Sequence, residues 1–191
     1  MRRPYHHGDL RESILSAAMV KIESDGLAAL SLRDLARECG VSPSAPQKHF
    51  PTKQDLLLAL ALRGYAELGE LVAGLKLRLP VDKALVTFGK AYCAYVAEHP
   101  VLVQLMYARP FDDGGEQLEE ASREAFVPLE EVLESARTRG EIVNNRKQVD
   151  MFVHVVMRGL GTSLSGGSLS SADDAVSRSV IRLMLLGLRP R

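Results

Sequence analysis

Apolar residues recur at three- and four-residue intervals along almost the whole chain, and no run alternates apolar and polar residues with a period of two. In the first such segment, Ile14, Ala18 and Ile22 would share one face of a helix. Similar spacing continues from segment to segment, which disfavours a sheet as the framework. The sequence therefore predicts an all-α fold of about nine helices, and 191 residues are enough to bury a sizeable core.

Two short helices around a tight turn are predicted near the start of the chain. Ser31 would cap the first of them and Gly40 would end it, because glycine readily adopts the left-handed conformation found there. Ser42 followed by Pro43 would start the second helix. Pro46 must keep that helix short, since its ring lacks an N–H and clashes one turn back. Two helices broken by a glycine-containing turn are typical of a helix-turn-helix.

In such a motif the second helix enters the major groove of DNA with its first residues nearest the bases. Gln47 can offer a donor and an acceptor to adenine, and Ala45 can contact a thymine methyl group. The candidate DNA-binding residues are Ser42, Ser44, Ala45, Gln47, Lys48, His49 and Lys53. The same pattern is also compatible with a solvated surface turn that carries two ordinary lysines.

The charge of the chain is balanced overall but uneven along its length. With 24 basic and 24 acidic residues the formal net charge is zero, which argues against a nonspecific nucleic-acid binder coated in positive charge. Residues 40–54 nevertheless hold two lysines, one histidine and no carboxylate. No apolar run is long enough for a membrane span, and no signal-peptide core follows the basic N-terminus, so we expect a cytoplasmic protein.

An enzyme is the competing class of protein. His99, His154 and Cys93 are scattered, and neither an HExxH nor a CxxC pair is present. The glycine-rich segment at 159–167 follows a predicted helix rather than a strand, which disfavours a phosphate-binding loop. We therefore expect no catalytic residues, no metal site and no cofactor.

The N-terminal quarter of the chain resembles the DNA-binding domain of TetR-type transcriptional regulators. The resemblance covers residues 5–57, YHHGDLRESILSAAMVKIESDGLAALSLRDLARECGVSPSAPQKHFPTKQDLL. It implies an all-helical dimer that represses transcription. It places a helix-turn-helix domain at 8–68, with the motif at about 31–50, and a helical effector-binding and dimerisation domain at 69–191. Members usually carry a tyrosine that contacts the DNA backbone where this chain has Gln47.

Two further sets of residues are candidates for the functions that the resemblance implies. Apolar residues that could line an effector pocket are Tyr92, Val96, Leu102, Leu105, Met106, Phe126, Phe152 and Val156. Residues that could form a dimer interface on the last two helices are Val153, Leu160, Val176, Val180, Leu183 and Met184. Each of them could equally fill the core, because binding cavities and cores are both apolar.

The combined interpretation is a dimeric, sequence-specific repressor that a small, lipophilic effector releases from a palindromic operator. The alternative is a helical protein that binds a ligand or a partner and whose DNA recognition was weakened or lost through Gln47. The identities of the operator, the effector and the regulated genes stay open, as do repression versus activation and the role of Cys93. A long helix that starts at Thr52 is the expected mechanical link between the two domains.

Overall fold

The computed structural model describes residues 10–75, 77, 80–108, 114–169 and 174–190, without the side chains of Asp174, Val176 and Ser177. Its helices, in chain order, are α1 (Leu10–Asp25), α2 (Leu32–Glu38), α3 (Lys53–Gly74), α4 (Val81–Glu98), α5 (Pro100–Ala108), α6 (Gly115–Thr138), α7 (Arg146–Ser165) and α8 (Asp174–Leu188). Two short 3₁₀-helices, Leu27–Ala29 and Pro46–Lys48, flank α2. The described residues contain no strand, and the predicted all-α fold class is confirmed.

Side-chain caps start the helices where the sequence indicated. The Ser31 hydroxyl accepts a hydrogen bond from the backbone N–H of Asp34 at the start of α2. At the start of α3, the Thr52 hydroxyl accepts from the N–H of Asp55 (3.2 Å), while the Asp55 carboxylate accepts from the N–H of Thr52 (2.8 Å). Past the end of α2, Gly40 has a φ of 69°, which only glycine adopts without strain. These predicted boundaries are confirmed.

The third predicted helix is not an α-helix, which is why the described residues contain eight α-helices rather than about nine. Between Ser42 and His49 the backbone bonds join residues three apart, such as the N–H of Ala45 to the carbonyl of Ser42 (3.0 Å). Pro46 has no N–H to donate to the carbonyl of Ser42 four residues earlier. The segment therefore tightens into a turn that ends in the 3₁₀-helix Pro46–Lys48.

One apolar core runs through the molecule and positions this turn. Phe50, which follows the turn, is 2% exposed and lies among buried residues of α1, α2 and α3, among them Ile14, Leu35 and Leu56. The 22-residue helix α3 continues from there into the larger helical part, where it packs against α5 and α6. The turn is thus held against a rigid base. Among the residues that the structure describes, no helix is long and apolar enough to cross a membrane.

Candidate nucleic-acid interface and ligand cavity

The turn between α2 and α3 exposes a short run of polar side chains. Most of the candidate DNA-binding residues are exposed, namely Ser42, Ser44, Gln47, Lys48, His49 and Lys53, whereas Ala45 is half-buried. Pro46 and Phe50 are buried and hold the turn from inside. The structure therefore presents the polar side chains of this segment to solvent as one patch.

Part of this patch lines an open groove against α2. Ser44, Gln47 and Lys53 line the groove together with Ser31, Leu32, Arg33 and Pro43. The Lys53 ammonium group also donates a hydrogen bond to the backbone carbonyl of Leu27 (3.1 Å), which fixes its position at the groove edge. Ser42, Lys48 and His49 are exposed on the same turn but do not line this groove.

Arg33 is absent from the predicted DNA-binding residues, which come from the second helix of the motif and the start of the helix after it, whereas Arg33 lies on the first. It is the second residue of α2, it is exposed, and it lines the same groove as Gln47. A guanidinium group carries five N–H donors in a planar fork that matches a phosphate or the O6 and N7 atoms of guanine. The signal available in the sequence was a basic residue in the first turn of the first helix of the motif.

Three carboxylates near the turn form ion pairs with two local basic side chains. Lys21 pairs with Asp25 (3.0 Å) and with Glu38 (3.5 Å), and Arg37 pairs with Asp34 (2.9 Å). The hydrogen bond from Lys21 lowers the pKa of the Asp25 carboxyl, so that group stays charged and paired at neutral pH. Asp25, Asp34 and Glu38 are thus held by basic side chains of α1 and α2.

A second candidate site is a small cavity between α6 and α7. Its lining residues are Tyr107, Phe126, Leu129, Glu130, Leu133, Asp150, Val153, His154, Met157 and Arg158. Its volume is about 40 Å³. A water molecule takes about 30 Å³ of the liquid, and sites for drug-sized ligands measure about 300–1,000 Å³. The cavity is therefore closed to such a ligand in this conformation.

Most of the candidate pocket residues do not line this cavity. Tyr92, Val96, Leu102, Leu105 and Met106 are fully buried in the surrounding core. Val156 is half-buried, and Phe152 is 39% exposed on the outside of α7. Phe126 alone of the candidates lies in the cavity wall, where its ring meets His154 edge to face.

Tyr107, which lines the cavity, forms a hydrogen bond with a second buried tyrosine, Tyr92. The Tyr92 hydroxyl donates to the backbone carbonyl of Met157 (3.1 Å), so the 2.8 Å bond between the two tyrosine hydroxyls must be donated by Tyr107. Burial raises the pKa of both phenols, and they stay neutral at physiological pH. On the other side of Tyr107, the Arg158 guanidinium lies 5.4 Å from the ring centroid and donates to the Tyr107 carbonyl (2.9 Å).

The outer faces of α7 and α8 carry large apolar side chains. Met151, Val155, Leu183 and Leu186 are 56–66% exposed, and Phe152 lies beside them. These five residues are called the apolar face below. Among the candidate dimer residues only Leu183 belongs to it. Val153, Leu160 and Met184 are buried inside the chain, Val180 is half-buried, and the side chain of Val176 lies outside the described residues.

A sequence comparison identifies the family. The pattern of bacterial regulatory proteins of the TetR family matches residues 14–60, which run from α1 through the exposed turn into α3. The chain belongs to the TetR family. The TetR match includes all seven candidate DNA-binding residues and Arg33.

Other members and solved structures are similar over longer stretches. An uncharacterized HTH-type transcriptional regulator of Mycobacterium tuberculosis is 24% identical over 131 residues, which is 69% of this chain and 60% of that protein. A structure of a protein with unknown function from Rhodococcus sp. RHA1 is 30% identical, with a TM-score of 0.80 over 99% of this chain and all of that one. A bacterial regulatory protein of the TetR family from Rhodococcus RHA1 shares the fold, with a TM-score of 0.73, 18% identity and coverage of 95% and 98%.

The described part of this TetR-family chain holds no metal-binding cluster. There, no three His, Cys, Asp or Glu side chains lie close enough together to hold a metal ion. Cys39 and Cys93 are not joined in a disulfide, and burial raises the pKa of the Cys39 thiol. A raised pKa lowers the fraction of that thiol present as the nucleophilic thiolate at neutral pH.

Proposed function

We propose that this protein is a homodimeric, sequence-specific DNA-binding regulator that represses transcription at a palindromic operator. The exposed turn at Ser42–His49, with Arg33 and Lys53 beside it, is the observation that carries the proposal. These side chains combine donors for phosphates with an amide and a guanidinium suited to base edges. They lie on a segment that Phe50 and Pro46 hold firmly, so little ordering is needed on binding.

The apolar face supports the dimer. Contiguous exposed apolar side chains are uncommon on monomers and mark contact surfaces. A second copy placed on α7 and α8 by a two-fold axis would cover Met151, Val155, Leu183 and Leu186. A two-fold dimer is also what an operator with two half-sites, about 34 Å apart, requires.

The effector is proposed to be a small, largely lipophilic molecule that enters the cavity between α6 and α7. Phe126, Leu129, Leu133 and Met157 supply apolar walls. Since the cavity holds about 40 Å³, a ligand must bind a conformation in which α6 and α7 lie further apart. Such a ligand shifts the population away from the DNA-binding conformation, and DNA in turn weakens the binding of the effector by the same factor.

A second candidate function follows from the turn itself. Gln47 stands where related regulators usually carry tyrosine, and the recognition segment is a turn with one 3₁₀-helix rather than an α-helix. Both features reduce the surface offered to a major groove. The second candidate is therefore a helical ligand-binding protein whose DNA recognition is weak or lost.

Selection of random duplex DNA by the purified full chain, at near-physiological salt and read by sequencing, separates the two functions. Enrichment of one palindromic motif supports the regulator. The affinity for that motif must fall steeply as salt rises, since each phosphate contact releases counterions. If a folded, dimeric protein enriches no motif, the regulator proposal is wrong and the ligand-binding protein is favoured.

A further inference from the structure

A carboxylate of the DNA-binding part caps a helix of the larger part. Glu23 lies near the end of α1 and is half-buried. Its Oε1 accepts from the backbone N–H of Leu102 (2.9 Å) and its Oε2 from the N–H of Val101 (3.2 Å), both in the first turn of α5. The first N–H groups of a helix have no partner within it, and a negative charge there also meets the positive end of the helix dipole. Glu23 therefore attaches α1 firmly to α5.

The other end of α5 forms a wall of the ligand cavity. Tyr107, one residue before the end of α5, lines the cavity and bonds to Tyr92 on α4. Its carbonyl accepts from Arg158, which also lines the cavity. At 1.5 Å per residue, about 9 Å of helix separates Val101 from Tyr107. A short, continuous helix thus joins the cavity to the N–H groups that Glu23 caps.

The flank of α5 allows little independent movement of its two ends. The Tyr65 hydroxyl of α3 donates to the carbonyl of Met106 (3.2 Å). A Cβ atom at Gly64 would lie 2.7 Å from the Met106 sulfur and 3.1 Å from Leu102, so α3 and α5 are in close contact at that point. A displacement of Tyr107 must therefore be shared by the whole of α5, including the turn that Glu23 holds.

We propose that Glu23 is the positioning residue through which the state of the cavity sets the placement of the helix-turn-helix. The inference rests on the proposed function and adds to α3 a second connection between the two parts. A ligand that displaces Tyr107 moves α5, and the Glu23 carboxylate transmits that movement to α1. Buried residues of α1, such as Leu15 and Ile22, share the core of the helix-turn-helix with Leu35 of α2, so the exposed turn moves with α1.

The test uses two substitutions in the cavity wall as stand-ins for an effector. Val153→Met puts a larger side chain into the cavity and so partly fills it, and Tyr107→Phe removes the hydroxyl that bonds to Tyr92. Each cavity substitution is made in three backgrounds, which are the unchanged chain, the Glu23→Gln variant and the control variant Glu12→Gln. Glu12 lies on the same helix as Glu23 but bonds to Arg63 of α3 instead of α5. Thermal unfolding confirms that every variant is folded.

The first measurement is the affinity of each variant for the DNA motif recovered by selection. We expect at least one cavity substitution to change that affinity by about threefold or more in the unchanged chain and in Glu12→Gln, and by clearly less in Glu23→Gln. Equal changes in all three backgrounds overturn the inference. So does the absence of any change from both cavity substitutions.

The second measurement is amide hydrogen exchange, which needs no DNA. In Glu23→Gln the N–H groups of Val101 and Leu102 should exchange faster, and the cavity substitutions should no longer alter exchange in α1. If no DNA motif is recovered, the proposed function fails. Hydrogen exchange in α1 then still decides whether Glu23 connects α1 to the cavity. The inference is overturned if the cavity substitutions change the exchange rates of α1 equally in the unchanged chain and in Glu23→Gln.

Discussion

The hydroxyl of Tyr107 donates a 2.8 Å hydrogen bond to the hydroxyl of Tyr92, which itself donates to the carbonyl of Met157. Tyr92 is therefore both acceptor and donor at a position that is 1% exposed. The chain of bonds joins α5, α4 and α7, and two of its residues, Tyr107 and Met157, line the cavity. Loss of either bond should lower the free energy of unfolding, because a partner that remains is buried and cannot bond to water instead.

Tyr92→Phe should lower the free energy of unfolding by about 1–3 kcal/mol, since it leaves the buried Tyr107 hydroxyl without its acceptor and removes one donor to the Met157 carbonyl. Tyr107→Phe should cost less, because Tyr92 keeps its bond to Met157. Urea unfolding of the two variants measures the difference. Equal costs for the two substitutions would contradict the assigned direction of the bonds.

Gln47→Tyr should strengthen operator binding by about fivefold to tenfold, because a phenol adds apolar contact with the DNA backbone while it keeps a hydrogen-bond donor. Gln47 is exposed and lines the groove, so the larger side chain fits without a clash in the core. Fluorescence anisotropy with the selected duplex measures the affinity. Gln47→Ala is the control and should weaken binding; a weaker complex with tyrosine would count against the proposed orientation of the turn.

Arg33→Ala should reduce discrimination between the selected motif and single-base variants by about 1–3 kcal/mol at one position, as expected for loss of a bidentate contact to guanine. Lys48→Ala is the comparison, since an exposed lysine on the turn suits a phosphate. It should weaken binding to all sequences alike and reduce the slope of log affinity against log salt by about one. If Arg33→Ala behaves like Lys48→Ala, Arg33 contacts phosphate rather than a base.

Val155→Asp should convert the proposed dimer to a monomer, because it places a charge on the apolar face. Val20→Asp is a matched control: Val20 is also exposed, but it lies on α1, away from α7 and α8. Sedimentation equilibrium of both variants gives the oligomeric state. A dimer that survives Val155→Asp would show that another surface makes the contact.

Asp55→Asn should alter how stability depends on pH. Hydrogen bonds from the Thr52 side chain and backbone lower the pKa of the Asp55 carboxyl in the folded chain. A lowered pKa stabilises the fold above the ordinary carboxyl value of 3.8, and this stabilisation fades as the pH falls through the lowered folded value. The difference between the free energy of unfolding at neutral pH and that at about pH 3 should therefore be smaller in Asp55→Asn than in the unchanged chain. An unchanged difference would exclude Asp55 as a contributor.

Much of the fold could be predicted because its signals are local. The capping box of Thr52 and Asp55, the cap at Ser31 and the positive φ of Gly40 each depend on residues within four positions of one another. The spacing of apolar residues likewise predicted the helices on either side. The recognition segment was the exception, since Pro46 permits a short helix start but removes the bond that an α-helix needs there.

The sequence by itself determined the all-helical class, the caps that bound the helices near the N-terminus and the family to which the chain belongs, because these depend on neighbouring residues. Only the tertiary structure decided that Met151 and Val155 face outward while Val153 faces the cavity, since a helix with two apolar sides does not reveal which one meets the core. It also decided that Glu23 meets Val101 and Leu102, which lie more than seventy residues away in the chain. Contacts of that kind depend on how whole helices pack, and no spacing within one helix encodes them.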